Sequence, residues 1–160
     1  MSQYRPITKL DPSQYSGAKI AIVQAKWNEH ITSRLTSGAV ETLTANGICE
    51  SDIYVYEVPG AVELTYAASR LLESKRFDAV IVFGCVIKGD TPHFDYVCDS
   101  ATQGVTALNT KNIAPVIFGV LTVDTEQQAV DRVGGPAGQK GAEAAETALH
   151  MIVFDRSISN

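Results

Sequence analysis

The stretch DAVIVFGCVIKGDTPHFDYVCDS, residues 78–100, decides the fold of this chain. Its first ten residues are an almost unbroken apolar run, which predicts a strand covered on both faces of a parallel sheet. Its second half places Phe94, Val97 and Cys98 on one face at helical spacing, with a short polar turn before them. A buried strand, a turn and an amphipathic helix form the repeating unit of an α/β fold.

The same unit recurs along the chain. Apolar runs at residues 19–25, 52–58 and 115–123 predict three more strands, and helical spacing separates them. Strands that alternate with helices of crossover length predict a four-stranded parallel sheet with helices on both faces. We therefore expect a three-layer αβα sandwich of flavodoxin-like order, whose ligands bind outside the carboxyl ends of the strands.

Two further segments follow from local signals. Residues 1–17 lack periodicity and are predicted to be an extended N-terminal arm, which either adds to a neighbour's sheet edge or frays. Residues 18–160 are predicted to form a single domain, because the whole chain has an ordinary domain length. Near the end, glycines are expected to separate a helix over residues 126–133 from a last helix over residues 141–154.

Composition excludes several classes of protein. The formal charge of −5 disfavours a nucleic-acid binder, which normally presents a basic face to phosphates. No apolar run reaches the length of a membrane span, and the first residues are too polar for a secretory signal. Three cysteines without a C-x-x-C pair favour neither disulfides nor a zinc site. We expect a cytoplasmic protein that binds no nucleic acid, membrane or metal.

The first two loops at the carboxyl edge offer an aromatic ring and a carboxylate. Trp27, the only tryptophan, either stacks on a planar heterocycle or covers the end of the core. Its loop has neither G-x-G-x-x-G nor a Walker pattern, which disfavours a nucleotide-phosphate site. In the second loop, Pro59 and Gly60 allow backbone amides to approach a ligand. Glu63 either accepts hydrogen bonds from hydroxyl groups or only complements a helix dipole.

The third loop combines an anion-binding turn with a histidine. Gly89 allows close backbone approach, and the amides of Asp90 and Thr91, with the Thr91 hydroxyl, can line an anion site. The Asp90 carboxylate opposes this unless it points away. His93 follows at a helix start, where it either transfers protons or is structural.

The last third of the chain contributes four more candidates. Phe118 either forms an apolar wall or is simply buried. Arg132 either binds phosphate through a bidentate contact or is a surface cation near a helix end. Lys140 and Glu143 are expected to form a solvated pair unless a ligand lies beside them.

Five motifs together resemble one family. They are WNEHIT, VPGAVE, DAVIVFGCVIKGDTPHFDYV, PVIFGVLTVDT and DRVGGPAGQKGAEAA. Over about residues 19–151 the chain is similar to 6,7-dimethyl-8-ribityllumazine synthases of riboflavin biosynthesis. The resemblance implies condensation of 5-amino-6-(D-ribitylamino)uracil with 3,4-dihydroxy-2-butanone 4-phosphate, which releases phosphate and water. It also implies that neither an organic cofactor nor a metal is required.

The resemblance assigns roles position by position. His93 is the implied acid/base residue, and Lys140 forms a supporting pair with Glu143 near the phosphate. The positions implied for the aminouracil are Trp27, Asn28, Ala61, Val62, Glu63, Cys85, Val86 and Ile87. The positions implied for the phosphorylated substrate are Asp90, Thr91, Phe118, Arg132 and Lys140.

The resemblance also implies an assembly. In the family the site lies between adjacent subunits, so Trp27, Glu63 and His93 would face Phe118 and Arg132 of a neighbour. The stretch VGGPAGQKG has the length found in members that form capsids, so we expect pentamers that assemble into an icosahedral 60-mer. Riboflavin synthase is an expected partner.

Two other functions are open to such a scaffold, and a third is excluded. A noncatalytic flavin-binding or storage module would use the stacking residue without turnover, and a shell protein would retain only the cage. A phosphorylation-controlled receiver domain needs acidic residues after the first strand and an aspartate after the third. Here Lys26 and Trp27 follow the first strand and Lys88 follows the third, which excludes that class.

Overall fold

Each of the four apolar runs forms a strand in the computed structural model, which describes residues 7–159. The strands are β1 (Ile20–Ala25), β2 (Ile53–Val58), β3 (Ala79–Ile87) and β4 (Val116–Val123). They pair in parallel in the order β2-β1-β3-β4, so β2 and β4 are the edges. The predicted four-stranded parallel sheet is confirmed.

Helices cover both faces of this sheet. They are α1 (Glu29–Ala45), α2 (Glu63–Glu73), α3 (His93–Asn109), α4 (Glu126–Val130) and α5 (Lys140–Ile158). Strand side chains alternate between two hydrophobic cores: Ile81 packs with α1 and α5, whereas its neighbours Val80 and Val82 pack with α2 and α3. The predicted three-layer sandwich is confirmed, and its parallel strands end at a common edge.

Residues 131–139 differ from the prediction. The helix expected over residues 126–133 ends at Val130, and two short antiparallel strands follow, β5 (Val133–Gly135) and β6 (Gly138–Gln139). Gly134 and Gly138 have φ of 105° and 95°, a backbone region that residues with a side chain rarely adopt. The helix thus ends before the glycines that were expected to break it, and the ribbon that they form was not predicted.

The predicted N-terminal arm is described only from residue 7, since residues 1–6 lie outside the described residues. Within it, Pro12–Tyr15 form a 3-10 helix rather than extended chain. The Tyr15 side chain is buried, and its hydroxyl donates to the Asn46 carbonyl at 2.8 Å. From α5, Arg156 donates to the carbonyls of Gln14 and Ser16. This part of the segment thus packs on its own domain.

Other features bear on the expected classes of function. No helix in residues 7–159 is both long and apolar enough to cross a membrane. In that same part of the chain, no three metal-ligating His, Cys, Asp or Glu side chains lie together. The three cysteines, Cys49, Cys85 and Cys98, are free thiols.

Candidate functional site

Trp27 lies just after the carboxyl end of β1 and is 69% exposed. Its backbone N–H donates to the Pro59 carbonyl at 3.0 Å, which joins the first loop to the second. An indole with this exposure does not cover the core, so that alternative is wrong. The exposed ring is available to stack on a planar ligand.

Asn28 links the first loop to the end of β3. Its backbone is left-handed, with φ of 59° and ψ of 42°, a conformation that asparagine tolerates better than most residues. Its Nδ2 donates to the Cys85 carbonyl at 2.9 Å. At the fourth residue of α1, the buried Thr32 hydroxyl donates to the Ala25 carbonyl at 2.7 Å. These bonds fix where the loop leaves the sheet.

The second loop organises Glu63, the first residue of α2. The Gly60 N–H donates to Glu63 Oε2 at 3.0 Å, so the carboxylate serves the start of the helix. This leaves Oε1 as its second acceptor for a ligand. Of the two residues between them, Ala61 is buried whereas Val62 is 43% exposed. Gly60 is not left-handed, so the permissive torsion expected of it is not used.

The end of β3 supplies a buried backbone segment. Cys85 is buried, and Val86 and Ile87 are half-buried. Burial raises the pKa of the Cys85 thiol to about 11, and the negative charge of Glu126 adds to the rise. The thiol is therefore neutral at physiological pH. Because the Asn28 amide already bonds its carbonyl, Cys85 connects β3 to the first loop.

The loop after β3 is exposed throughout. Asp90, Thr91 and His93 are all on the surface. His93 begins α3, and its backbone N–H donates to the Thr91 hydroxyl oxygen at 3.4 Å. The hydroxyl thus supports the start of the helix that carries the histidine. A Cβ at Gly89 would meet no atom within 4 Å, so this turn has open space around it.

A concave region lies along the open edge of β4, with a cavity volume of about 1000 Å³. Phe118, Arg132 and Lys140 line it. Phe118 is 42% exposed, so the alternative that it is simply buried is wrong. Met151 and Phe154 on α5 extend the apolar wall. We call this region the β4 groove.

The cationic end of the β4 groove is built by the β5–β6 ribbon. Arg132 precedes the ribbon and Lys140 follows it, and the Lys140 N–H donates to the Arg132 carbonyl at 2.8 Å. Arg132 Nη1 donates to the Gln128 carbonyl at 2.7 Å, which holds the guanidinium beside α4. Lys140 Nζ lies 2.8 Å from Glu143 Oε2, and their side chains are only 29% and 23% exposed. The pair is therefore not the fully solvated one expected by default.

The predicted site residues thus fall into two separate groups within one chain. The carboxyl-edge group consists of Trp27, Asn28, Ala61, Val62, Glu63, Cys85, Val86, Ile87, Asp90, Thr91 and His93. The groove group consists of Phe118, Arg132 and Lys140, and no member of the first group lines the β4 groove in the described structure.

A known enzyme family matches most of the sequence. The sequence model of 6,7-dimethyl-8-ribityllumazine synthase matches residues 17–156. The chain belongs to this family. A lumazine synthase of Parabacteroides distasonis is 55% identical over 139 residues, which cover 87% of each chain. One from Porphyromonas gingivalis is 52% identical over 138 residues, 86% of each chain. One from Bacteroides fragilis is 51% identical over 141 residues, 88% of this chain and 99% of the relative.

Two contacts at the carboxyl edge of this lumazine synthase family member were not predicted. His30 Nε2 lies 2.5 Å from Glu126 Oε1, which joins the starts of α1 and α4. These residues are 96 positions apart, and nothing in either local sequence pairs them. The second contact is between Trp27 and Gly60. The motif VPGAVE predicted a special glycine there, but for its torsion rather than for the space that its missing side chain leaves.

Proposed function

We propose that this protein condenses 5-amino-6-(D-ribitylamino)uracil with 3,4-dihydroxy-2-butanone 4-phosphate to 6,7-dimethyl-8-ribityllumazine, as its family membership implies. The observation that carries the proposal is the family match over residues 17–156, within which every implied site residue lies. Imine formation and ring closure each release water, and elimination releases phosphate. These steps require two aligned substrates, proton transfer and a binding site for the leaving phosphate.

The carboxyl-edge group holds the aminouracil in this account. The exposed Trp27 ring stacks on the pyrimidinedione, and the backbone of residues 85–87 reads its polar edge. Glu63 Oε1 accepts hydrogen bonds from the ribityl chain, while Oε2 remains bonded to Gly60. Asn28 supports this arrangement because its amide holds the Cys85 carbonyl in place.

His93 is the acid/base residue in this account. It begins α3 beside the open turn at Asp90 and Thr91, so its ring can reach a substrate bound over that turn. Imidazole both accepts and donates protons near neutral pH, as imine formation and ring closure require. The surface position of His93 gives a ligand access from the solvent side.

The β4 groove binds the phosphorylated substrate. Arg132 offers the donor geometry that suits a phosphate, Lys140 adds positive charge, and Phe118 forms the apolar side. In the opposite group, the backbone amides of Asp90 and Thr91 complete the anion site. The two cations of the β4 groove and the amide donors of the carboxyl-edge group together stabilise the leaving phosphate better than the cations or the amides would alone.

These two groups meet across a subunit interface in our proposal. The carboxyl-edge group of one copy lies against the β4 groove of the next, since neither group alone holds both substrates. The exposed apolar residues Val62 and Tyr66 on one side, and Met151 and Phe154 on the other, support such head-to-tail contact. The contact would repeat around a closed ring. We propose a pentamer, assembled into an icosahedral 60-mer.

Two further proposals follow from family membership. One is association with riboflavin synthase, which would use the product lumazine. The other is a cytoplasmic location, which the three free thiols support. Fractionation of cells and co-purification with tagged riboflavin synthase test them.

The activity is tested by mixing the purified protein with both substrates. We expect lumazine fluorescence to rise together with release of one phosphate per product. The control omits the butanone phosphate, which leaves the aminouracil unconverted. Binding of flavin by a correctly assembled protein, without any lumazine or phosphate, would instead identify a noncatalytic binding module.

A further inference from the structure

The Trp27 indole packs directly on the backbone of Gly60. A Cβ built at Gly60 would collide with Trp27 Cε3 and would lie 2.7 Å from Cζ3, closer than two non-bonded carbon atoms approach. Gly60 itself is buried, although the ring above it is 69% exposed. The indole therefore rests on bare backbone with much of its surface open to solvent.

Gly60 contacts the candidate carboxylate as well. Its N–H donates to Glu63 Oε2 at 3.0 Å, and a Cβ at Gly60 would lie 3.2 Å from that same oxygen. The Trp27 N–H meanwhile donates to the carbonyl of Pro59, the residue before Gly60. One glycine thus adjoins both side chains that we assign to the aminouracil.

The backbone at Gly60 does not require glycine. Its φ lies outside the left-handed region, where only Gly17, Gly47, Gly134 and Gly138 among the described glycines are found. Alanine can therefore adopt this conformation without the strain of positive φ. An added methyl group would act mainly by displacing the Trp27 ring, because its contact with Glu63 Oε2, at 3.2 Å, is the milder of the two.

We propose that Gly60 is a positioning residue, whose missing side chain sets the orientation of the Trp27 ring for binding the aminouracil. The inference rests on the proposed function for the identity of the ligand. The dependence of the Trp27 ring on the space at residue 60 is a structural claim and does not rest on the proposed function.

The experiment compares four proteins: wild type, Gly60→Ala, Trp27→Phe and the double variant Trp27→Phe/Gly60→Ala. In Gly60→Ala we expect KM for the aminouracil to rise about tenfold, with KM for the phosphorylated substrate changed less than about twofold. In the Trp27→Phe background the smaller ring can move aside. The same glycine change should therefore raise KM for the aminouracil by about threefold or less. Melting curves establish that each variant is folded.

Fluorescence gives a readout that does not depend on turnover. Trp27 is the only tryptophan, so emission excited at a wavelength that tyrosine does not absorb reports on this ring alone. We expect Gly60→Ala to shift the emission maximum and to change quenching by iodide. If Gly60→Ala does not fold, the double variant is compared with Trp27→Phe instead. A rise of about tenfold or more in KM for the aminouracil between these two proteins would overturn the proposal.

The outcomes separate the two proposals. Unchanged emission and unchanged KM in Gly60→Ala would overturn the positioning role. The proposed reaction would still stand if the wild-type protein forms lumazine. Equal penalties for Gly60→Ala in both backgrounds would also overturn it, because the cost would not pass through the ring. Absence of lumazine from wild-type protein would contradict the proposed function, while the emission and iodide data would still decide whether Gly60 positions Trp27.

Discussion

Asn28 and Cys85 are joined by a hydrogen bond of 2.9 Å, from the asparagine amide nitrogen to the cysteine carbonyl. The two residues are 57 positions apart, and the bond ties the loop after β1 to the end of β3. Both residues are site positions implied by the family motifs. The bond therefore holds together two segments that we assign to the same substrate.

Substitution of Asn28 separates the effect of its hydrogen bond to Cys85 from the effect of its left-handed backbone. Asn28→Gly and Asn28→Ala both lose the donor to Cys85, so we expect both to raise KM for the aminouracil by about threefold to tenfold. Alanine is also strained at φ of 59°, whereas glycine is not. Asn28→Ala should therefore have a free energy of unfolding about 1 kcal/mol lower than that of Asn28→Gly. Kinetics and denaturant unfolding measure the two effects. Wild-type KM values in both variants would contradict the role of the bond.

His93→Ala tests proton transfer. Because alignment of two substrates supplies much of the acceleration, we expect a moderate loss of kcat, about tenfold to a hundredfold, with small changes in KM. His93→Gln keeps a polar side chain of similar size and should lose as much, since it does not titrate. Turnover as fast as wild type in His93→Ala at every pH tested would show that another group transfers the protons.

Substitution of Arg132 tests phosphate binding. Arg132→Ala should raise KM for the butanone phosphate about a hundredfold, and Arg132→Lys should recover only part of this because it lacks the forked donor geometry. KM for the aminouracil should change little. Lys111→Ala is the charge-matched control, since Lys111 is exposed and does not line the β4 groove. An equal effect of both alanine variants would reduce the role of Arg132 to net charge.

The buried thiol predicts a pH dependence of stability. Its pKa is about 11 in the folded protein against an ordinary value of 9.0, so the folded state binds more protons between these values. The free energy of unfolding is unaffected by this group below pH 9 and falls as the pH rises toward 11, by at most about 3 kcal/mol. Cys85→Ser should lose less stability over this window. Denaturant unfolding of both proteins at pH 8 and pH 10.5 measures the difference, and parallel losses would contradict the prediction.

The layers of the fold were predictable because each element carries its own period. The runs that became β1, β3 and β4 are almost entirely apolar, and Leu35, Ala39 and Leu43 mark the buried face of α1. The ribbon after Val130 was not predictable in the same way. Its two strands are three and two residues long, and a periodic pattern needs more residues than that.

The candidate site was predictable as a set of positions but not as a set of contacts. Motifs placed Trp27 in the loop after β1 and Glu63 in the first turn of a helix, as the structure has them at the carboxyl edge of the sheet. The bonds that orient them arise from segments distant in sequence, as in the pair of His30 and Glu126. Such contacts depend on the folded geometry and leave no local pattern in the sequence.

The predicted site residues divide between the carboxyl edge and the β4 groove, and in the proposed function each site is built from two copies of the chain. The most direct test combines two variants, each defective in one group. One is Trp27→Ala/His93→Ala, and the other is Arg132→Ala. Each alone should have very low kcat/KM. Co-expression with different affinity tags allows purification of mixed oligomers.

In mixed oligomers, an interface formed by the intact carboxyl edge of one variant and the intact groove of the other restores a complete site. Random mixing in a head-to-tail ring would give about a quarter of the wild-type activity per site. Separately purified variants that are mixed without subunit exchange are the control and should remain inactive. Recovery near a quarter is the result that we expect. Mixed oligomers no more active than their parents, or a fully active wild-type monomer in sedimentation, would contradict the shared site.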